Sequence, residues 1–462
     1  MEIAERYAEF ALGLEFEELP ADVVDHAKKL ILDIIANGIG GYDWADSGEP
    51  IAAGVRALDR GGSGATVLAT GEQMAPEWAS LVNGAMAHSL DYDNHHAKGV
   101  IHAGSSVVTC ALAAGEAVGA TGRELITSVV VGYEIACRLA MALGPHSSHE
   151  MGSHPTGTCA TFSGSAIIGR LRGSSPEVIV NSMGLNGSQA AGSMQYVVNG
   201  AWNKRLHPGW ANHAAFASSA LAEAGVIGAA EVFEGGQGFL QGYALRPDPP
   251  AATDGLGSQF ETLNVAIKPF SLCRYTHQAL ELLIGLANEG VVEPDSIDSI
   301  LIEMPTYGVD LVGSPIEAKR RPSSSVDAQF SAPFAAALAL TERRAGLDVF
   351  TRVIEEGYSD GFARLMSVTD VRSAEDLDAM HPEFWPGRVT VRSGTETFER
   401  SAIHMRGEAE IPMSFDEVAD KFTELTPRHP ASIRSRVTEV VRDLEHHDIE
   451  DLISPLRGAL DE

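Results

Sequence analysis

Between His88 and His102 the chain reads HSLDYDNHHAKGVIH, with four histidines, two aspartates and a lysine in fifteen residues. Neutral imidazole and carboxylate are common ligands of divalent metals, and imidazole exchanges protons near neutral pH. The spacing lacks the HExxH pattern of a helical zinc site. On these residues alone a metal site drawn from Asp91, Asp93, His95, His96 and His102, an acid/base site and a solvated polar loop all stay open.

Three more segments carry groups of the same kind. GSHPTGTCATFSGSA sets His154 before a run of small residues, where a helix N-terminus could receive a carboxylate or where the histidine simply caps a tightly packed helix. WNKRLHPGWANH puts Lys204, Arg205 and His207 together, a donor set suited to a polycarboxylate or, equally, a salt-bridged turn. AIKPFSLCRYTHQAL adds Lys268, Cys273, Arg274 and His277 where the texture of the chain changes, and domain boundaries favour small-molecule clefts. Nothing in the sequence orients Cys273 as a thiolate nucleophile. The shared theme is an anionic substrate and proton transfer.

The elements that must position these groups follow from pattern. A chain of 462 residues with 44% hydrophobic content should fold into two or three domains with a large core. In ADVVDHAKKLILDIIANG the apolar residues recur at helical spacing, and Asn37-Gly38 predicts the stop. Capping boxes predict helix starts at Thr121/Glu124, Ser174/Glu177 and Ser414/Glu417. Pro76, Pro155 and Pro208 suit first helical turns, which would set His154 and His207 just before helix N-termini. From about Leu263 the pattern changes: SIDSILIEMP reads as a strand, VTVRSGTETFER as a hairpin turning at Ser393-Gly394, and DAQFSAPFAAALAL as a buried helix. The expected fold is therefore mainly α, a large helical domain formed by residues 1–262 and 411–462 with a smaller α+β domain, 263–410, inserted between.

Composition removes several function classes. A net charge of -30, from 63 acidic against 33 basic residues, opposes a nucleic-acid surface. The acidic start and the lack of any eighteen-residue uncharged apolar stretch predict a soluble cytoplasmic protein with no membrane partner. Four cysteines, Cys110, Cys137, Cys159 and Cys273, are too dispersed for a CxxC metal pair, an iron–sulfur cluster or a disulfide framework. The Gly-rich GLNGSQAAGSMQYVVNG is neither a P-loop nor a dinucleotide fingerprint, so no nucleotide cofactor is expected. Only seven of the basic residues are lysines, which predicts a protein adapted to high salt, where screening relieves the self-repulsion of an acidic surface. Lysines that survive such depletion are expected to have specific tasks.

Taken in order, VNGAMAHSLDYDN with HAGS after it, GSHPTGT, KRLHPGWANHAAFASSALAEAG, IKPFSLCRYTH and DAQFSAPFAAALAL resemble the MmgE/PrpD family. Its members include 2-methylcitrate dehydratase, cis-aconitate decarboxylase and iminodisuccinate epimerase. The resemblance spans most of the chain and implies a homodimer, an α+β lid over the helical domain, no metal and no cofactor. It assigns Asp91, His102, His154, Lys204 and Lys268 to the site. Two departures accompany it: Phe334 stands where the family commonly has tyrosine, and His95 where threonine often follows the aspartates, in a loop one residue longer.

The chemistry so implied removes or returns a proton on carbon next to a carboxylate, with the enolate charge stabilised. His102 is expected as the principal acid/base group, Asp91 as the carboxylate that orients it, and His154 as a second acid/base group. Lys204 and Lys268 would bind substrate carboxylates, with His95, His207 and His277 completing the binding set, and lid closure would bring up Lys268. The expected activity is a lyase acting on a di- or tricarboxylate, foremost a 2-methylcitrate dehydratase. The alternatives are cis-aconitate decarboxylation, epimerisation of a dicarboxylate, and a carboxylate-binding protein whose activity is lost, which Phe334 motivates.

Overall fold

The structure, a computed structural model, describes residues 2–144, 147–198 and 200–457. The chain is mainly α-helical. It divides into two compact units: residues up to Ile267 with those from Ser414 onward, and Lys268–Met413.

In the first unit, seven helices bear on the site: α1 (Ala21–Trp44), α2 (Pro76–Ala87), α3 (Gly104–Val118), α4 (Gly122–Leu143), α5 (Ala160–Arg172), α6 (Asn203–Glu223) and α7 (Phe415–Leu425). Helix α1 runs seven residues beyond the Asn37 at which the sequence predicts a stop. The Asn37 side chain folds back onto its own helix, donating to the Asp33 carbonyl at 2.8 Å. The glycines that follow serve close packing instead of termination: a Cβ on Gly41 would lie 1.9 Å from the Met86 carbonyl oxygen of α2. A Cβ on Gly209 of α6 would lie 2.3 Å from the Leu81 carbonyl oxygen on the same helix. With both glycines bare, α2 lies against α1 and α6, and its C-terminal end is delivered beside the first turn of α6.

Leu30, Ile31, Ile34 and Ile35 of α1 are fully buried, each contributing about 1.5–3 kcal/mol by removal from water. Thr121/Glu124 and Ser414/Glu417 form the expected capping boxes at α4 and α7. The third predicted box is displaced: Ser175, not Ser174, caps its helix, with Pro176 in the first turn. Pro208 also differs from expectation, because α6 begins at Asn203 and carries the proline inside it. The lost donor is the one that would have reached the Lys204 carbonyl. Helix α4 is long and apolar enough to cross a membrane, and it lies buried in the protein interior. Two short strands, β1 (His95–His96) and β2 (Val265–Ala266), pair antiparallel, with His95 opposite Ala266.

The second unit holds a four-stranded sheet. Strand β3 (Ser299–Met304) is parallel to β4 (Thr369–Ser373) and antiparallel to β5 (Gly387–Ser393), which continues as a hairpin into β6 (Glu396–Ala402). Ile300 faces Val391 and Ile302 faces Val389, all buried, so one face of β3 and β5 is apolar at the period of two that a half-buried sheet requires. Gly394 takes φ +58 in the hairpin turn. The helix Ala332–Glu342 is capped by Ser331, whose hydroxyl accepts from the Phe334 N–H. The Phe334 ring is fully buried among Phe350, Tyr358 and Phe362, at centroid distances of 5.7, 6.0 and 5.3 Å.

All four cysteines are free and buried. Of the seven lysines only Lys98 is exposed, and Lys28, Lys268 and Lys421 are buried.

Candidate active site

His88 caps the C-terminus of α2, and the chain then turns sharply, with Asp91 in the left-handed region at φ 51. Aspartate tolerates this conformation better than most residues, and such backbone strain concentrates at functional sites. The turn sends Asp91 and Asp93 to different partners. Asp91 forms an ion pair with Lys204 in the first turn of α6. Asp93 accepts from His88 Nδ1 at 2.7 Å through Oδ2, while Oδ1 lies 3.5 Å from His102 Nδ1.

This corrects one expectation: the carboxylate beside His102 is Asp93, and Asp91 is engaged with Lys204 instead. The left-handed turn at Asp91 sends the two carboxylates, only two residues apart, to different partners, a distinction that residue type alone does not reveal. His102 is further fixed by its backbone N–H, which donates to Thr156 Oγ1 at 3.1 Å.

His154 and His207 meet directly, Nδ1 to Nδ1 at 2.9 Å, so one ring donates and the other accepts. His207 is one turn beyond Lys204 inside α6, not before a helix N-terminus as the sequence predicts. His154 does precede a helical turn, Pro155–Thr158. The His88 ring lies 5.2 Å from His102 and 5.7 Å from His154, and His95 lies 6.0 Å from His102. The structure thus brings together Asp91, His95, His102, His154, Lys204 and His207. Lys268 and His277 belong to the second unit, where Lys268 is fully buried and His277 Nε2 bonds the Leu272 carbonyl at 2.9 Å.

The remaining members of the quoted motifs are structural. His96 accepts from the Gly99 N–H at 3.0 Å through Nδ1, which leaves Nε2 to donate to Glu261 at 2.9 Å. That bond, opposed by burial, holds the Glu261 carboxyl down to about 2. Arg205 turns away to Asp46 and Ser47, each at 2.6 Å. Sequence reasoning missed His88 and the role of Asp93. It also missed His149 and Tyr196, whose rings each lie 6.2 Å from His154. The five-residue spacing of His88 and Asp93 across a helix end was the available signal.

A buried network anchors the loop from behind. Lys421 of α7 donates to Asp33 Oδ1 at 2.6 Å and to the Tyr92 carbonyl at 2.8 Å, with its ammonium 3.8 Å from the Tyr92 ring. Asn94 donates to Asp33 Oδ2 at 3.1 Å and accepts from Tyr133 at 3.1 Å. Residues flanking Asp93 are thereby tied to three helices.

Electrostatics separate the groups by protonation state. Burial, only partly opposed by Asp93, pushes His88 down to about 4, and burial with neighbouring cations holds His207 and His149 at about 4. His154 is held well below the usual imidazole range, first by burial and then by His207 and His88. For Asp93, burial pushes upward but His88 and His102 outweigh it, and the carboxyl stays well below its ordinary value. Burial likewise opposes the charge of Lys204, yet Asp91 raises it above the usual lysine range. The result is an ionised carboxylate among neutral imidazoles. The His102 side chain is 18% exposed while that of His88 is 0% exposed, so His102 is the member of the Asp93 set that a substrate can reach.

Residues 5–251 match the MmgE/PrpD N-terminal domain, and residues 270–446 match the MmgE/PrpD C-terminal domain. The chain belongs to the MmgE/PrpD family. It is 24% identical to a cis-aconitate decarboxylase-like protein of Aspergillus oryzae over 97% of this chain and 95% of that one. It is 26% identical to cis-aconitate decarboxylase of Aspergillus terreus over 74% of this chain and 72% of the relative. With the Mus musculus cis-aconitate decarboxylase it shares 22% identity over 96% of this chain and 91% of the relative.

In this MmgE/PrpD chain, His88, Asp93 and His102 each offer a ligand atom within 4.8 Å of the others, a set able to hold a divalent ion. The same three atoms can instead carry a proton relay, and a ligated His102 would be lost as a base.

Proposed function

We propose that the protein is a lyase that acts on a di- or tricarboxylate through proton transfer at a carbon next to a carboxylate. The observation that carries this reading is the partly exposed His102 backed by the ionised Asp93, with the Lys204 ammonium in the same cluster. An ionised carboxylate stabilises the imidazolium formed when His102 takes a proton, and a positioned acid/base group contributes about 10²–10⁴-fold to rate. Lys204 offers positive charge to a substrate carboxylate and to the developing enolate. His154, hydrogen-bonded through Nδ1 to His207, is the proposed second acid/base group, and His95 borders the same space. Lys268 remains a proposed second cation for the substrate, and His277 a proposed further contact.

Among the reactions of the family, decarboxylation of cis-aconitate is supported by the names of relatives that cover more than nine-tenths of both chains. In that reaction the bond to the departing carboxylate breaks, its electron pair forms a new double bond, and imidazolium delivers a proton to the carbon at the far end of the allylic system. Dehydration of 2-methylcitrate uses the same groups in the other order, His102 taking the proton while hydroxide leaves. The geometry of His102, Asp93 and Lys204 serves either order, so product analysis separates them. A homodimer in the cytoplasm of a salt-adapted cell completes the proposal. Phe334 gives no reason to assign lost activity, because its ring sits in the aromatic core of the second unit.

The test is proton NMR in D2O and molar KCl, with cis-aconitate, 2-methylcitrate and a panel of small dicarboxylates. Itaconate formation supports decarboxylation, and 2-methylaconitate formation supports dehydration. Deuterium exchange without net product supports epimerisation. No turnover and no exchange with any of them would overturn the lyase reading for this substrate class.

A further inference from the structure

The Asp93 carboxylate serves two imidazoles, and only one of them faces the exterior. His88 and Asp93 are each 0% exposed in their side chains. An ionised carboxylate so placed accepts hydrogen bonds and donates none. The 2.7 Å contact to Oδ2 therefore requires the proton on His88 Nδ1. The groups facing His88 argue against a second proton on the ring: Lys204 from α6, His102 from the loop, His154 from the turn before Pro155 and His207 from α6 can all carry positive charge. Among the described residues Asp93 is the anion in direct contact with the His88 ring, while Asp91 is paired with Lys204. With Nδ1–H committed to Oδ2, the carboxylate is left with Oδ1 toward His102 Nδ1.

We infer that His88 is a positioning residue for the reaction. By donating from Nδ1 it fixes the Asp93 carboxylate so that Oδ1 sets the orientation and tautomer of His102, making His88–Asp93–His102 one unit. His88 does not touch substrate and stays neutral throughout the cycle. It acts from the capped end of α2, whose place is set by the bare glycines Gly41 and Gly209, so the packing of three helices reaches the reacting group through a single hydrogen bond. The inference rests on the reading of His102 as the acid/base group.

Three substitutions test it. In His88→Asn the amide nitrogen occupies the δ position and can still donate to Asp93. In His88→Gln the donor moves to the ε position at similar volume, and in His88→Ala it is absent. Nitrogen-15 NMR of the histidine-labelled free protein reads tautomers without any substrate. The expected result is a neutral His88 protonated on Nδ1, and a His102 protonated on the Nδ1 that faces Asp93 in wild type and His88→Asn. In His88→Gln and His88→Ala, His102 shifts toward the Nε2–H form. With a turned-over carboxylate, kcat should fall about tenfold or more in the Gln and Ala variants, with KM within about twofold, and recover in His88→Asn. A His88 protonated on Nε2, or a His102 tautomer equal in a folded His88→Gln and wild type, overturns the inference. Because the NMR arm needs no turnover, failure of the lyase reading and failure of the His88 role appear in different measurements.

Discussion

Asp93 Oδ1 lies 3.5 Å from His102 Nδ1, while Asp91, two residues earlier, is ion-paired with Lys204. The two aspartates of one short loop therefore have separable tasks. Asp93→Asn removes the charge that stabilises a His102 imidazolium, and kcat is expected to fall about 10²–10⁴-fold with KM little changed. Asp91→Asn instead frees the Lys204 ammonium, and its main effect should be on KM. Steady-state kinetics of both variants on the same substrate check this, and equal effects on kcat would show that the carboxylates work as one group.

Buried histidines make stability depend on pH. His88 has an ordinary imidazole value when unfolded and about 4 when folded, so between these values the unfolded chain binds the extra proton. Stability is therefore full above about pH 6.5 and declines as pH falls toward 4, by about 1 kcal/mol at pH 5.5 for His88 alone. Asp93 works at lower pH: its depressed folded value contributes stability above the unfolded carboxylate value, lost only in stronger acid. Denaturant melts at constant salt from pH 7.5 to 5 should show the histidine slope, and His88→Asn should flatten it.

The acidic surface predicts a strong salt response. With a net charge of -30 and a single exposed lysine, self-repulsion at low ionic strength opposes compaction. Tm should rise by several degrees or more between 0.1 and 2 M KCl, most steeply at the low end where the Debye length shrinks from about 10 Å toward 3 Å. A flat Tm would mark an ordinary acidic protein.

Chelation separates the two uses of the His88, Asp93 and His102 atoms. Catalysis by proton transfer should survive extended EDTA treatment unchanged. Added Zn²⁺ should inhibit, because an ion held by His88, Asp93 and His102 takes the Asp93 carboxylate away from His102 and puts positive charge beside the imidazole that must accept a proton. Inhibition should weaken at lower pH as protons compete for imidazole. Activity abolished by EDTA and restored by zinc would make the cluster a metal centre.

The family motifs and helical pattern were legible because they depend on local residue type and period. The apolar face of α1 up to Asn37, the capped starts of α4 and α7, and the hairpin at Gly394 all follow from local physics. What was not legible depends on who lies opposite. Asn37-Gly38 has the composition of a stop, but Asn37 bonds within the helix and the adjacent glycines admit a neighbouring backbone. Pro208 has the composition of a start, yet five helical residues precede it, tied down by the Lys204–Asp91 pairing and the Arg205–Asp46 pairing. The choice between Asp91 and Asp93 needed the positive φ at Asp91, which no side-chain pattern encodes.

Lys421 tests how far the site depends on the C-terminal segment. It is buried, paired with Asp33 and bonded to the Tyr92 carbonyl between the two site aspartates. Lys421→Met removes one partner of a buried ion pair and leaves the Asp33 charge held by Asn37 and Asn94 alone, a change that costs about 3–5 kcal/mol. The double variant Asp33→Asn, Lys421→Met removes both charges and should recover much of that stability. It should not recover kcat, because the tether on the Tyr92 carbonyl is still missing and Asp93 is one residue away. Denaturant melts and kinetics on the two variants separate these effects. Recovery of stability and kcat together would mean that the lysine serves the fold alone, whereas recovery of stability without kcat identifies it as the anchor of the Asp91–Asp93 loop.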